Sequence, residues 1–263
     1  MATQAGVQGV GLFFSSGDSG DEAANLGFPS PDFPASLPSV TAVGGTSLAL
    51  GQTGQALWEV GWETGVSRLE APAVDAGADA ADDAGATDGG ALVWTPGAPG
   101  SFVFGAGGGT SSVYEQPAYQ VGIVPTALAN LPGAPARVVP DVAMLADPMT
   151  GFLIGQTSRA GSYGESVIGG TSLACPLFTA TVALAQQNAG RSFGFANPLL
   201  YQASVQGAFR DIQPGASPQA VAVPGGVVTT FGYPYLAIQT AVGYDNVTGL
   251  GVPNGATFLE SVR

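Results

Sequence analysis

Ser172 to Asn188 reads SLACPLFTATVALAQQN. No charge interrupts this run and Gly190 supplies a stop, so the stretch predicts a helix that is apolar nearly all round and central in the fold. Pro176 falls early, where a missing N–H is tolerated. Working outward, Gly9 to Ser16 (GVGLFFSS) is a short apolar run that reads as a strand buried on both faces. It ends in the tight polar turn Gly17-Asp18-Ser19-Gly20. Ser39 to Val43 is a second strand candidate leading into Gly44-Gly45-Thr46-Ser47, and Leu48 to Trp62 carries weaker extended signals. Arg137 to Leu145 and Gly151 to Gly155 look like short strands around a turn. Ala196 to Ala203 and Asn254 to Val262 look like short helices. Strands followed by helices point to an α/β layered fold with a mainly parallel sheet.

The chain has 263 residues, long enough for one substantial core and short enough for a single domain. Residues 72–90 (PAVDAGADAADDAGATDGG) hold five Asp and no basic partner, and read as a flexible acidic surface insertion. A calcium-binding repeat is the sharper alternative there, but the Asp spacing matches no regular loop. All six basic residues are Arg, against 19 acids, for a net charge of −13. That balance disfavours nucleic acid and anionic membranes as partners, and no apolar run approaches a membrane span. Histidine is absent altogether. A Ser-His-Asp triad, a Cys-His pair and His-ligated metal are thereby excluded within the chain, and any general base must be a carboxylate. Cys175 is the single cysteine, so no internal disulfide forms. The first residues lack the basic head and apolar stretch of a signal peptide.

Gly-Gly-Thr-Ser occurs twice, at 44–47 and 169–172. Only the second copy precedes a helix, whose free N–H groups and dipole favour the negative charge that develops when a serine takes an acyl group. The first reads as a turn at a strand end. A capping serine is the commoner role for a residue in the position of Ser172, and a turn residue the commoner role for Asp18.

The wider pattern changes that balance. Gly169-Gly-Thr-Ser-Leu-Ala-Cys-Pro176 resembles the nucleophile motif shared by subtilisins and sedolisins, and a subtilisin would need a histidine. Phe13-Phe-Ser-Ser-Gly-Asp-Ser-Gly20 resembles the Ser-Ser-Gly-Asp-x-Gly segment of the sedolisin family of serine-carboxyl peptidases. The resemblance implies a subtilisin-like fold with Ser172 as nucleophile. It also implies that Asp18, protonated at acid pH, donates a hydrogen bond to the oxyanion. Gly105 to Ser111 with Pro117-Ala-Tyr-Gln120 resembles a family segment near the substrate cleft, making Gly107, Gly108 and Gly109 candidates for lining a bound peptide. Asp211-Ile212 and Ala241-Val-Gly-Tyr-Asp245 resemble its calcium segments. Asp211, Asp245 and the carbonyls of Ile212, Ala241 and Gly243 would be the ligands of Ca2+. Ala241 stands where the family usually has Gly, which suits a carbonyl ligand only if φ is not positive there.

The family also uses a Glu base and an orienting Asp four residues apart on one helix. No Glu-x-x-x-Asp occurs here and no acid precedes Asp18. Glu59, Glu63 and Glu165 read as surface or cleft acids. The expectation is therefore the C-terminal part of a secreted peptidase's catalytic domain, endopeptidase or tripeptidyl peptidase, inactive alone. Its partners would be a polypeptide substrate, the missing N-terminal part and a propeptide. A calcium-stabilised binding module that reuses the fold is the competing expectation.

Overall fold

The computed structural model describes residues 1–71, 91–131 and 133–263. The acidic insertion expected at 72–90 lies outside the described residues.

The molecule is built around the strand Thr41–Leu50, buried from Thr41 through Ser47. Its first half pairs in parallel with Phe13–Ser15 and with Val142–Leu145. Beyond Thr46 the same strand runs antiparallel to Ala56–Gly61. Gly44 to Ser47 thus lie inside a strand, not at the turn that the sequence suggests. Ser47 holds its place by donating its hydroxyl to buried Asp147 at 2.6 Å. The remaining ladders are antiparallel. They include a sheet in which Glu63–Glu70 is flanked by Val227–Phe231 on one side and by Val93–Thr95 and Ser101–Gly105 on the other. A hairpin, Phe152–Thr157 with Tyr163–Ile168, leads into the second Gly-Gly-Thr-Ser.

The long helix spans Thr171–Ala189 and packs across all three parallel strands. Leu173, Ala174, Phe178, Val182 and Ala185 face inward, and Phe178 and Phe258 sit at the centre of the core. Each fully buried side chain of this kind contributes about 1.5–3 kcal/mol. Gly190 ends the helix in the left-handed conformation, its N–H returned to the last turn. The helix is not buried all round, however. Ser172, Pro176, Thr179, Ala180, Ala183 and Leu184 are exposed, with Leu184 58% accessible. Small and apolar residues on that outer face disguise the periodicity. Pro176 also falls later than the first turn, as the sixth helical residue. It cannot donate to the carbonyl of Ser172, which loses its helical partner.

The strand predicted from Gly9 shortens to Phe13–Ser15, behind a short helix at Ala2–Val7. Its residues are half-buried rather than enclosed on both faces, because the edge away from Thr41–Leu50 has no partner among the described residues. The predicted helices near 196 and 254 appear as Asn197–Ser204 and Gly255–Ser261.

Where Ala136–Val139 hands over to Val142–Leu145, Arg137 and Asp141 form a wholly buried pair. Both Asp141 oxygens are bonded twice: Oδ1 by Arg137 at 2.7 Å and the Tyr201 hydroxyl at 2.8 Å, Oδ2 by Arg137 at 2.6 Å and the Ala42 N–H at 2.8 Å. This knot ties the central strand to the Asn197–Ser204 helix.

Glu63 is the other buried acid of consequence, at 2% exposure. Burial pushes its carboxyl up from the ordinary 4.5 to about 8, against the pull of the Leu236 and Tyr235 N–H groups. The folded form therefore holds a proton that the unfolded chain releases above about pH 4.5. Its stabilising contribution is complete below that pH and is lost as pH rises toward about 8, by at most about 5 kcal/mol. Urea midpoints are expected to fall between pH 5 and 8, and Glu63→Gln is expected to flatten that slope. An unchanged slope in the variant would contradict the assignment.

Candidate active site

Asp18 follows the strand Phe13–Ser15, and Ser172 is the second residue of the long helix. The first hydrogen bonds beyond that parallel strand bring the two together. Asp18 Oδ1 accepts the Thr171 N–H at 2.7 Å and lies 2.8 Å from the Thr171 hydroxyl. That hydroxyl also accepts from the Gly17 N–H at 3.2 Å, and Ser15 donates to the Thr171 carbonyl at 3.1 Å. Asp18 Oδ2 sits 2.7 Å from where a Cβ on Gly170 would be, and Gly170 has φ +88°. Only glycine admits both that backbone and the carboxyl beside it. The acid is thus fixed to the residue next to Ser172, at a helix N-terminus.

Both Asp18 and Ser172 are exposed. Neither the Ser172 hydroxyl nor its backbone N–H has a hydrogen-bond partner among the described residues. A helix terminus with a free N–H and an adjacent carboxyl can receive a developing oxyanion. Among the described residues, however, no carboxylate is bonded to the serine as a base would be. Glu59 is paired with Arg210 and accepts from Thr46, and Glu165 is exposed on the hairpin, accepting from Tyr163. Glu63 is interior, which corrects its reading as a surface or cleft acid.

Gly107, Gly108 and Gly109 are all buried. A side chain on Gly107 would collide with the Ser16 carbonyl, and one on Gly108 with the Asn246 carbonyl. Internal packing thus requires glycine at 107 and 108. Gly109 opens the strand Gly109–Glu115 with φ +125°.

At the calcium candidates, the Gly243 N–H donates to Asp211 Oδ2 at 3.0 Å and the Ala241 N–H to Asp245 Oδ2 at 3.1 Å. Both carboxylates therefore converge on the 241–243 loop. The carbonyls of Ile212, Ala241 and Gly243 accept no hydrogen bond from the described residues. Ala241 has no positive φ, so the exchange of Gly for Ala leaves its carbonyl usable. Asp245 is buried and receives three N–H groups and the Thr248 hydroxyl, which saturates its four acceptor positions. The set fits a hard cation if the Thr248 hydroxyl, which is free to turn, gives up Oδ2.

A layered α/β fold in which a carboxyl side chain is bonded to the residue next to a serine at a helix N-terminus, with no histidine in the chain, fits the subtilisin-like fold of the serine-carboxyl peptidases. Comparison with known proteins narrows the class. The chain is 31% identical to kumamolisin of Bacillus sp. strain MN-32 over 98% of its own length and 37% of that protein. It is 29% identical to tripeptidyl-peptidase sed1 of Aspergillus fumigatus, over 97% of the chain and 36% of the relative. A solved structure of Pseudomonas sedolisin, a serine-carboxyl proteinase complexed with two molecules of pseudo-iodotyrostatin, superimposes with a TM-score of 0.64 at 27% identity. That match covers 100% of this chain and 58% of the other. No family model matches. The chain belongs to the sedolisin family. It spans a little over a third of the length of the curated relatives it matches. No described helix is long and apolar enough to cross a membrane.

Proposed function

We propose that the chain supplies the nucleophile and oxyanion half of a serine-type peptidase that cleaves polypeptides at acid pH. The observation that carries this reading is the bond from Thr171 N–H to Asp18 Oδ1, which holds a carboxyl group beside Ser172. Ser172 attacks the peptide carbonyl, and Asp18 in its protonated form donates to the oxygen that becomes negative, which confines activity to low pH. The base and its orienting acid come from polypeptide outside these residues. In support, no described carboxylate backs Ser172. The exposed outer face of its helix and the open edge of Phe13–Ser15 are surfaces that further chain would cover. The isolated chain is then inactive. The whole protein is an exported endopeptidase or tripeptidyl peptidase with a propeptide.

The test is covalent labelling by a peptide aldehyde at about pH 4, with the base-bearing segment supplied. Expected is modification of Ser172 that vanishes in Ser172→Ala. Labelling elsewhere, or strong peptidase activity from this chain alone, would overturn the reading.

We also propose a structural Ca2+ held by Asp211, Asp245 and the carbonyls of Ile212, Ala241 and Gly243. It would stabilise the C-terminal loops and supply no chemistry at Ser172. Calcium at a hundredfold excess over its Kd is expected to add about 2.7 kcal/mol. That corresponds to a rise of roughly 5–10 °C in Tm, absent in Asp211→Asn. Identical melting in calcium and in chelator would refute the site.

A further inference from the structure

The first Gly-Gly-Thr-Ser, at 44–47, has no part in the chemistry proposed for Ser172, yet its contacts lead toward the second copy. Gly44, Gly45 and Thr46 stand in register with Ala143, Met144 and Leu145. Where that ladder ends, the Thr46 carbonyl accepts the N–H groups of both Ala146 and Asp147, at 3.0 and 3.2 Å. A side chain on Gly45 would strike the Ala146 methyl group. Ser47 then donates to Asp147 Oδ2 at 2.6 Å, and the Thr64 hydroxyl donates to the same oxygen at 2.6 Å. Asp147 Oδ1 accepts the Met149 N–H at 2.8 Å, which fastens the turn that follows. Ser47, Thr64 and Asp147 are all fully buried, and no arginine among the described residues is bonded to the carboxyl. A carboxyl buried without a cation is a costly fastening for a turn.

The same turn seats the second copy. Gly170 donates its N–H to the Ala146 carbonyl. A side chain on Gly169 would collide with Pro148 and with that same carbonyl. One on Gly151 would collide with the Ile168 carbonyl, so the hairpin strand that delivers Gly169 is pressed against the chain leaving the turn. Gly170 in its turn abuts the Asp18 carboxyl, which accepts the Thr171 N–H. Buried contacts thus run without a break from Ser47 through Asp147 to the residues that hold Asp18 and precede Ser172. We propose that Asp147, fixed by Ser47 and Thr64, is a positioning residue: it sets the turn on which Gly169 and Gly170 rest, and so aims Asp18 and Ser172 at one carbonyl group. What the positioning serves rests on the peptidase reading, whereas the coupling of the two motifs rests on geometry alone.

Amide hydrogen exchange on the chain by itself reads the coupling, with no substrate or added segment. In Ser47→Ala and in Asp147→Ala, the Gly170 and Thr171 amides are expected to exchange about tenfold faster or more, while those of Val182 and Ala185 keep their wild-type rates. Ser47→Ala removes a single hydroxyl, so it carries the test even if Asp147→Ala does not fold. Asp147→Asn keeps an acceptor for Met149, and the two hydroxyls can turn to accept from its amide, so exchange close to wild type is expected there. With the base-bearing segment supplied, binding of a peptide aldehyde at about pH 4 reads the function. Its affinity is expected to fall about tenfold to a hundredfold in Ser47→Ala, whereas the matching peptide alcohol, which forms no tetrahedral adduct, binds as before. A folded Ser47→Ala with unchanged exchange at Gly170 and Thr171 overturns the proposal. So does acceleration spread evenly along the helix, or equal weakening of aldehyde and alcohol, since either marks a merely structural residue. A wild-type chain that takes up no aldehyde counts against the peptidase reading, and the exchange rates then decide the coupling by themselves.

Discussion

An Asp141→Asn chain is expected to lose about 3–5 kcal/mol of stability, seen as a large drop in the urea midpoint. The chain would approach complete unfolding, since a domain commonly has only about 5–15 kcal/mol to lose. The amide can accept on one atom only, whereas Asp141 accepts on both oxygens from Arg137, Tyr201 and Ala42. Arg137 is fully buried and its Nε already has no partner, so the variant strands a guanidinium charge in the interior. The main compensations left are the Val138 carbonyl at 2.9 Å and the Tyr119 ring at 5.8 Å. Replacing both members of the pair by apolar residues of similar size should cost less than Asp141→Asn alone, because no charge is then left behind. A loss below about 1 kcal/mol in Asp141→Asn would show that the pair is not the tie it looks to be.

On the proposed mechanism, and with the base-bearing segment supplied, Asp18→Ala is expected to slow acylation of Ser172 by about a hundredfold to a thousandfold, the usual cost of removing one oxyanion donor. Asp18→Asn should behave differently. The amide donates without needing a proton, so labelling should persist and extend to higher pH than in the wild type. If Asp18 served only as a cap for the Thr171 N–H, alanine and asparagine would alter stability and leave the pH profile of labelling in place. The two variants together separate a chemical role from a structural one.

The helix after Ser172 was legible because an uncharged apolar run stands between Gly170 and Gly190. Its exposed face was not, since alanine and threonine look the same to a periodicity whether covered or bare. Pairing of Asp18 with Thr171 spans 153 positions, and no local pattern announces it; only the resemblance of the two motifs suggested that they meet. Arg137 and Asp141 stand four apart, a spacing that means contact on a helix, yet Arg137 sits on the strand Ala136–Val139 and Asp141 in the link after Pro140 that leads into Val142–Leu145. Arginine and aspartate within the run RVVPDVA were a usable sign of burial that a motif search passes over. Glu63 likewise has Trp62 before it and Thr64-Gly65-Val66 after it, an interior context for a charged residue. Of the hairpin at 152–168, the first strand was legible over Gly151 to Gly155, and the second escaped because it lies on the surface and shows no alternation.

The clasp on Asp18 is formed by the N–H and hydroxyl of Thr171, and the hydroxyl of Ser172 takes no part in it. Deleting that hydroxyl leaves the carboxyl group where it was. A Ser172→Ala protein should therefore keep an intact cradle for a polarised carbonyl oxygen. Joined to the base-bearing segment, such a variant would, on the proposed mechanism, make a suitable trap for holding uncleaved peptides and for fishing out the sequences that it prefers.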